Sequence, residues 1–233
     1  MSSIASIFDP LGFLAPIVLK GKHILQEICR QDQDWDAPVD EKILRSWEAF
    51  VKDLRLLISL KIPRCFVPRN FGEIKLSVLH HFCDASIVGL GQVSYLRVVD
   101  RFDNVHVALV SAKARVAPKK PVTMPRMELQ AAVLSAKMAT FLKKELKMPC
   151  TAHYFWTDSK VVLGYIKNDT KKFHMYVANR IKLIRDRSEP DQWHFIPGSL
   201  NPGDMASRGC NVQELSSSPW FVCPEFLKDV NLL

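Results

Sequence analysis

Four acidic residues, Asp84, Glu128, Asp158 and Asp204, fall where the hydrophobic pattern starts or stops. Their type suits hard-cation chemistry. Asp84 and Asp158 each close an apolar run of strand character, where a buried carboxylate is costly unless a cation or hydrogen-bond donors meet it. Glu128 and Asp204 open helical stretches. Taken singly, either of these two is explained by the helix dipole, which favours an acid in the first turn. At one sheet edge the four would repel one another, and divalent metal would relieve that repulsion. Whether they meet depends on the elements between them.

Residues 14–29 carry Ile17, Val18, Ile24, Leu25 and Ile28 at helical spacing, and residues 40–57 repeat the theme with Ile43, Leu44, Trp47, Phe50 and Leu54. Two amphipathic helices are expected, joined by a polar stretch over 31–38, with Asp40 as the N-cap of the second. The texture changes after Pro63. Residues 74–82 form a short apolar-rich run that ends at Asp84, and 89–98 and 105–112 read as two further strands around a polar turn at 100–104.

Residues 116–125 contain three prolines and read as loop, followed by a helix over 128–146 with Glu128 in its first turn and Leu129, Ala132, Val133, Ala136, Ala139 and Leu142 on one face. A strand over 151–156 stops at Thr157-Asp158. Helices over 159–167 and 173–187, a short strand over 192–196, a turn over 197–202 and a last helical segment from Gly203 complete the order αα-βββ-α-β-α-α-β-α. Three hairpin-linked strands followed by alternating helix and strand predict an α/β fold, a mixed sheet with helices packed on it.

At 233 residues, 48% hydrophobic and 24% charged, the chain can bury a core of one large domain or two small ones, and it shows neither repeats nor low-complexity runs. The formal charge of +8 favours a polyanionic partner, since each Lys or Arg docked on phosphate releases counterions. The six cysteines lack a C-x-x-C pair or a Cys/His knuckle, so free thiols in a reducing compartment are expected. The apolar stretch 11–19 is short, contains Pro16 and lacks a basic leader. The expectation is a cytoplasmic protein, with the nucleus as the alternative, neither secreted nor membrane-bound. Met1 is open to being internal to a longer reading frame.

Four ordered words carry a resemblance: Phe82-Cys83-Asp84-Ala85-Ser86, Pro125-Arg126-Met127-Glu128-Leu129, Trp156-Thr157-Asp158-Ser159 and Asn201-Pro202-Gly203-Asp204-Met205-Ala206-Ser207-Arg208-Gly209. Together they resemble the ribonuclease H domain of retroelement reverse transcriptases, and most closely the BEL/Pao class of long-terminal-repeat retrotransposons. Ser111-Ala112-Lys113-Ala114-Arg115-Val116-Ala117-Pro118 and Phe8-Asp9-Pro10-Leu11-Gly12 also look like that class, so the resemblance runs from about Ile7 to Cys210. It implies a ribonuclease H-like mixed five-stranded sheet over 71–210, a connection-like helical segment over 1–70 and a C-terminal extension over 211–233. It also implies cleavage of the RNA strand of an RNA–DNA hybrid, with Asp84, Glu128, Asp158 and Asp204 holding two Mg2+ ions, Mn2+ being the alternative. A polymerase palm in a longer polyprotein is the implied protein partner.

Hybrid recognition implies 2′-hydroxyl contacts across the minor groove and basic side chains on phosphates. Lys113, Arg115, Lys119, Lys120 and Arg126 are the nominated phosphate contacts; otherwise they form a solvated basic loop. Some ribonucleases H place a histidine in a mobile loop before the last aspartate. Residues 196–204 hold none, and His194 falls in the expected last strand, so turnover that needs such a histidine would be slow. The same region of this class is sometimes labelled a Pao retrotransposon peptidase. An aspartic protease needs Asp-Thr-Gly or Asp-Ser-Gly, whereas Asp84-Ala85-Ser86, Asp158-Ser159-Lys160 and Asp169-Thr170-Lys171 lack the glycine. The Tyr-x-Asp-Asp word of a polymerase and the zinc-binding His/Cys module of an integrase are also missing. The remaining alternative is a catalytically inactive, domesticated or fragmentary module that binds nucleic acid or protein.

Overall fold

The computed structural model describes residue 4 and residues 6–31, 37–148, 150–170 and 172–232 of the chain. Helix α1 (Ala15–Arg30) begins with Pro16 in its first turn, where the missing N–H has no intrahelical partner to lose. The Asp9 carboxylate accepts from the Phe13 and Leu14 amides just ahead of it. Helix α2 (Glu41–Leu54) is capped as its sequence predicts, with the Asp40 side chain accepting from the Lys42 and Ile43 amides. Of the polar link between them, residues 32–36 lie outside the described residues.

Strands β1 (Ile74–Ala85), β2 (Gly89–Asp100) and β3 (Val105–Val116) form an antiparallel meander. Helix α3 (Met124–Glu145) then crosses to β4 (Ala152–Thr157), which pairs parallel with β1. Helices α4 (Lys160–Ile166) and α5 (Met175–Arg185) lead to β5 (Trp193–Phe195), parallel with β4. The five strands stand in the order β3-β2-β1-β4-β5. Helices α6 (Gly203–Arg208) and α7 (Val212–Ser217) and a 3-10 turn (Glu225–Lys228) follow. This is the expected α/β architecture, a mixed five-stranded sheet flanked by helices.

Three boundaries differ most from expectation, and the first is β3, which runs past 112 to Val116 because residues 113–116 pair with residues 89–92 of β2. Helix α3 starts at Met124, so Pro125 lies inside its first turn and Glu128 in its second. Proline marks a break inside a helix, but at the second helical position it costs no hydrogen bond. Strand β2 runs on to Asp100 and is buried throughout, polar Gln92, Ser94, Arg97 and Asp100 included. A central strand buries whatever it carries, so the apolar pattern alone stops short of its end.

The period-two alternation of strands divides the core. Phe82, Val93, Tyr95 and Trp156 face α1, α6, α7 and the C-terminal segment, whereas Cys83, Leu90 and Phe155 face α3, α4 and Trp193. The N-terminal helices and the C-terminal segment share the first of these clusters: Ile17, Phe50, Trp220 and Leu227 pack together there. Tyr95 donates to the Trp220 carbonyl at 2.8 Å, and the Trp220 indole donates to the Phe13 carbonyl at 2.9 Å. Among the described residues no helix is long and apolar enough to cross a membrane.

Candidate active site

Parallel pairing of β1 with β4 places Phe82 opposite Trp156. Asp84 and Asp158 lie two residues beyond that pair on their respective chains, so they stand side by side on one face of the sheet, on strands about 4.8 Å apart. This is the reason that two acids 74 positions apart in the chain can act as one unit.

Asp204 is brought to the same face by close packing of α6 on β1 and β2. A Cβ on Gly91 would lie 2.5 Å from the Ala206 and Ser207 backbone, and one on Gly203 would lie 3.0 Å from the Cys83 carbonyl carbon. Only glycine at these two positions lets backbone approach backbone so closely. Buried Asn201 pins the turn: its amide donates to the Cys83 carbonyl, and its side-chain oxygen accepts from Gly203 N–H. Gly198, in the same turn, borders Asp158 Oδ2.

Glu128 arrives from the opposite side of the sheet on α3. Ser159 Oγ donates to its Oε2 at 2.6 Å and also accepts from the Val162 amide as the N-cap of α4. One hydroxyl therefore fixes both the helix start beside Asp158 and the fourth carboxylate. Replacing Ser159 with Ala is expected to cost about 1 kcal/mol of stability from the lost cap, read by urea unfolding. A loss below about 0.3 kcal/mol would reject the capping role.

The charges are held in unequal ways. Asp84 is 7% exposed, and burial raises its carboxyl to about 6, opposed by the hydrogen bond from Ser207 and reinforced by the charges of Asp158 and Asp204. The Ser207 Oγ to Asp84 Oδ2 distance is 2.5 Å. Burial also raises Asp158, opposed by a hydrogen bond from its own backbone amide and reinforced by the charge of Asp204. Arg208 Nε donates to Asp204 Oδ1 at 2.5 Å, and this guanidinium is held above its ordinary range by that bond and by the field of Asp84 and Asp158. The buried Cys83 thiol, pushed up by burial, also feels Asp84, Asp158 and Glu128.

The four acids thus share one neighbourhood, yet among the described residues no three His, Cys, Asp or Glu side chains are placed to hold a single ion. Asp204 is turned to Arg208, and Glu128 is hydrogen-bonded to Ser159. The donor set still suits a hard divalent cation, because burial leaves Asp84 and Asp158 short of counter-charge and all four donors are carboxylate oxygens.

The nominated phosphate contacts scatter. The register Asp84–Gly91–Ala114 puts Lys113 and Arg115 two strands from Asp84, on the opposite face. The Lys119 ammonium donates to the Cys29 carbonyl, Lys120 is exposed in the loop, and the Arg126 guanidinium lies near the Tyr176 ring. His194 sits in β5 between Tyr154 and Trp156, ring centroids 5.5 and 5.2 Å away. Ser159, Asn201, Ser207 and Arg208 stand inside the same motifs, and the pattern of acids alone assigns them no role. The signal was available for two of them, since Ser207 and Arg208 lie three and four residues after Asp204 and must share its helix face.

No curated protein matches the chain. Among solved structures it is similar to the N-terminal RNase H domain of a Mycobacterium tuberculosis protein, at 12% identity over 57% of this chain and 96% of that one, TM-score 0.34. It is also similar to LC11-RNase H1 in complex with an RNA/DNA hybrid, at 11% identity over 54% and 88%, TM-score 0.29. A third is the foamy viral protease-reverse transcriptase in complex with double-stranded DNA, at 11% identity over 84% and 32%, TM-score 0.29. TM-scores this low support no inference about the chain. The family model described as the Pao retrotransposon-like RNaseH-like domain matches residues 1–159, which include Asp84, Glu128 and Asp158, and the chain belongs to that family.

Proposed function

We propose that this chain is the ribonuclease H portion of a Pao-class reverse transcriptase and hydrolyses the RNA strand of RNA–DNA hybrids, in the cytoplasm or the nucleus. Family membership supports the class of chemistry. The observation that carries the assignment to this site is the position of Asp84 and Asp158, each two residues beyond the Phe82–Trp156 pair of adjacent parallel strands and both raised by burial. Asp84, Glu128, Asp158 and Asp204 are the residues that would hold divalent metal, as two Mg2+ or Mn2+ ions. Such metal, when bound, activates the attacking water and stabilises the leaving 3′ oxygen of an in-line displacement.

The protein's own part is positioning and charge. Asp84 and Asp158 concentrate negative potential at the strand ends, Ser159 orients Glu128, and Arg208 balances Asp204. In a longer polyprotein the partner domain is a polymerase palm.

An RNA-labelled hybrid incubated with the purified chain is expected to be cut in magnesium and left intact in EDTA. Duplex DNA of the same sequence is expected to be cut far more slowly, since the 2′-hydroxyl contacts are lost. Equal cutting of both duplexes would reject the hybrid specificity. The second reading, an inactive binding module, is favoured by the lack of a three-ligand group among the described residues. It wins where the chain binds the hybrid in magnesium or manganese and leaves it whole.

A further inference from the structure

Strand β3 is an edge of the sheet, and its outer side is only partly covered. The Leu11 carbonyl accepts from the Ala112 amide at 2.8 Å and from the Ser111 hydroxyl at 2.9 Å. Ala117 N–H, in contrast, donates inward to the Val88 carbonyl. Backbone groups alternate along a strand, so the N–H and C=O of Ala114 and of Val116 point outward with those of Ala112. Among the described residues these outward groups of Ala114 and Val116 have no hydrogen-bond partner. An open edge of this kind is a template for one more strand.

A groove of about 770 Å3 borders this edge. One wall is α1, where Val18, Lys22 and Leu25 fall on one helix face, and the other is Met138 and Phe141 of α3. The alternation of β3 gives each side its own chemistry. Ala112 and Ala114 turn to the α1 side and join its apolar cluster, whereas Lys113 and Arg115 turn to the α3 side and are exposed. Among the described residues Lys22, Lys113 and Arg115 form no ion pair. Asp9 also lines the groove, but its carboxylate already accepts from the Phe13 and Leu14 amides.

We propose that this groove takes an extended peptide segment of a protein partner, alternating apolar and acidic residues, as a sixth strand on β3. Such a strand, about 4.8 Å from β3, pairs with the outward groups of Ala114 and Val116. It sets its apolar side chains beside Ala112, Ala114, Val18 and Leu25, and its carboxylates opposite Lys113 and Arg115. A second copy of this chain fits less well. It would bring the Lys113 and Arg115 of two edges together in a protein of net charge +8, and like charges facing each other across strands are destabilising. Nucleic acid offers neither an amide ladder nor apolar side chains for the α1 wall. The edge lies two strands from Asp84, so the proposal does not rest on the hybrid reading.

The test is fluorescence anisotropy with a labelled peptide of alternating valine and glutamate, compared with one of alternating valine and lysine. The glutamate peptide is expected to bind, and the lysine peptide to bind at least about 10-fold more weakly. Hydrogen exchange followed by NMR should show the Ala114 and Val116 amides slowed about 10-fold or more by saturating glutamate peptide. Ala114→Pro removes an N–H that points away from β2, a place where an edge strand tolerates proline, and is expected to weaken binding about 5–10-fold. Should that variant fail to fold, Lys113→Glu combined with Arg115→Glu decides, since these exposed changes should invert the preference between the two peptides. Equal binding of the two peptides, no binding of either, or binding without protection of Ala114 and Val116 overturns the proposal. So does a homodimer of the wild-type chain that itself protects these amides, or an RNA–DNA hybrid that protects them and displaces the peptide.

Discussion

Replacing Asp84 with Asn is expected to abolish RNA-strand cleavage and, in the same molecule, to stabilise the metal-free protein at neutral pH. The wild-type carboxyl is buried and raised from an ordinary 3.8 to about 6, burial being the main cause, opposed by Ser207 and strengthened by Asp158 and Asp204. The sign follows from linkage. Below pH 3.8 the group is protonated folded and unfolded, and its contribution to stability is greatest. That contribution is lost as pH rises through the folded value of about 6, and the full shift corresponds to about 3 kcal/mol. Asparagine removes the titration and can still accept from Ser207. Urea unfolding of both proteins from pH 4 to pH 7.5 should show the variant gaining about 1–3 kcal/mol on wild type across that range. Parallel pH profiles would show that Asp84 is not strained by its site.

Arg97→Ala is expected to be the most damaging substitution distant from the carboxylates. Arg97 is 1% exposed on β2, and its guanidinium donates to the carbonyls of Leu227 at 2.8 Å and Asp229 at 2.5 Å, with Val230 at 3.4 Å. These carbonyls end the 3-10 turn over Glu225–Lys228, where a helical turn has no internal donors left. Removing the guanidinium strands the buried Leu227 carbonyl and opens a void beneath Leu227. A loss of about 3–5 kcal/mol is expected, together with early proteolysis after Trp220. Urea unfolding and limited proteolysis followed by mass spectrometry measure both. A loss under about 1 kcal/mol with an undigested C-terminus would show that the C-terminal segment holds without Arg97.

Strand and helix order was legible because each element announces itself locally: Asp40 caps a helix, and the apolar run before Asp84 ends where the strand does, within one residue. Position along an element was less so. Pro125 hid the first turn of α3, and the buried polar residues of β2 masked its length. The C-terminal segment could not be placed from its pattern. Trp220 and Leu227 follow neither helical nor strand periodicity, and their partners Tyr95 and Arg97 lie more than a hundred residues earlier. At the site, an acid ending an apolar strand is a local signal, which is why Asp84 and Asp158 stood out before any resemblance.

The most direct test of the nuclease assignment is magnesium-dependent cleavage of an RNA-labelled hybrid by wild type and by Asp158→Asn, each shown folded by circular dichroism. Asp158 is the acid set beside Asp84 by the parallel register, so its loss should reduce cleavage by at least about 100-fold while wild type cuts. Equal cleavage by the two proteins, or no cleavage by wild type on a hybrid that it binds, would contradict the account.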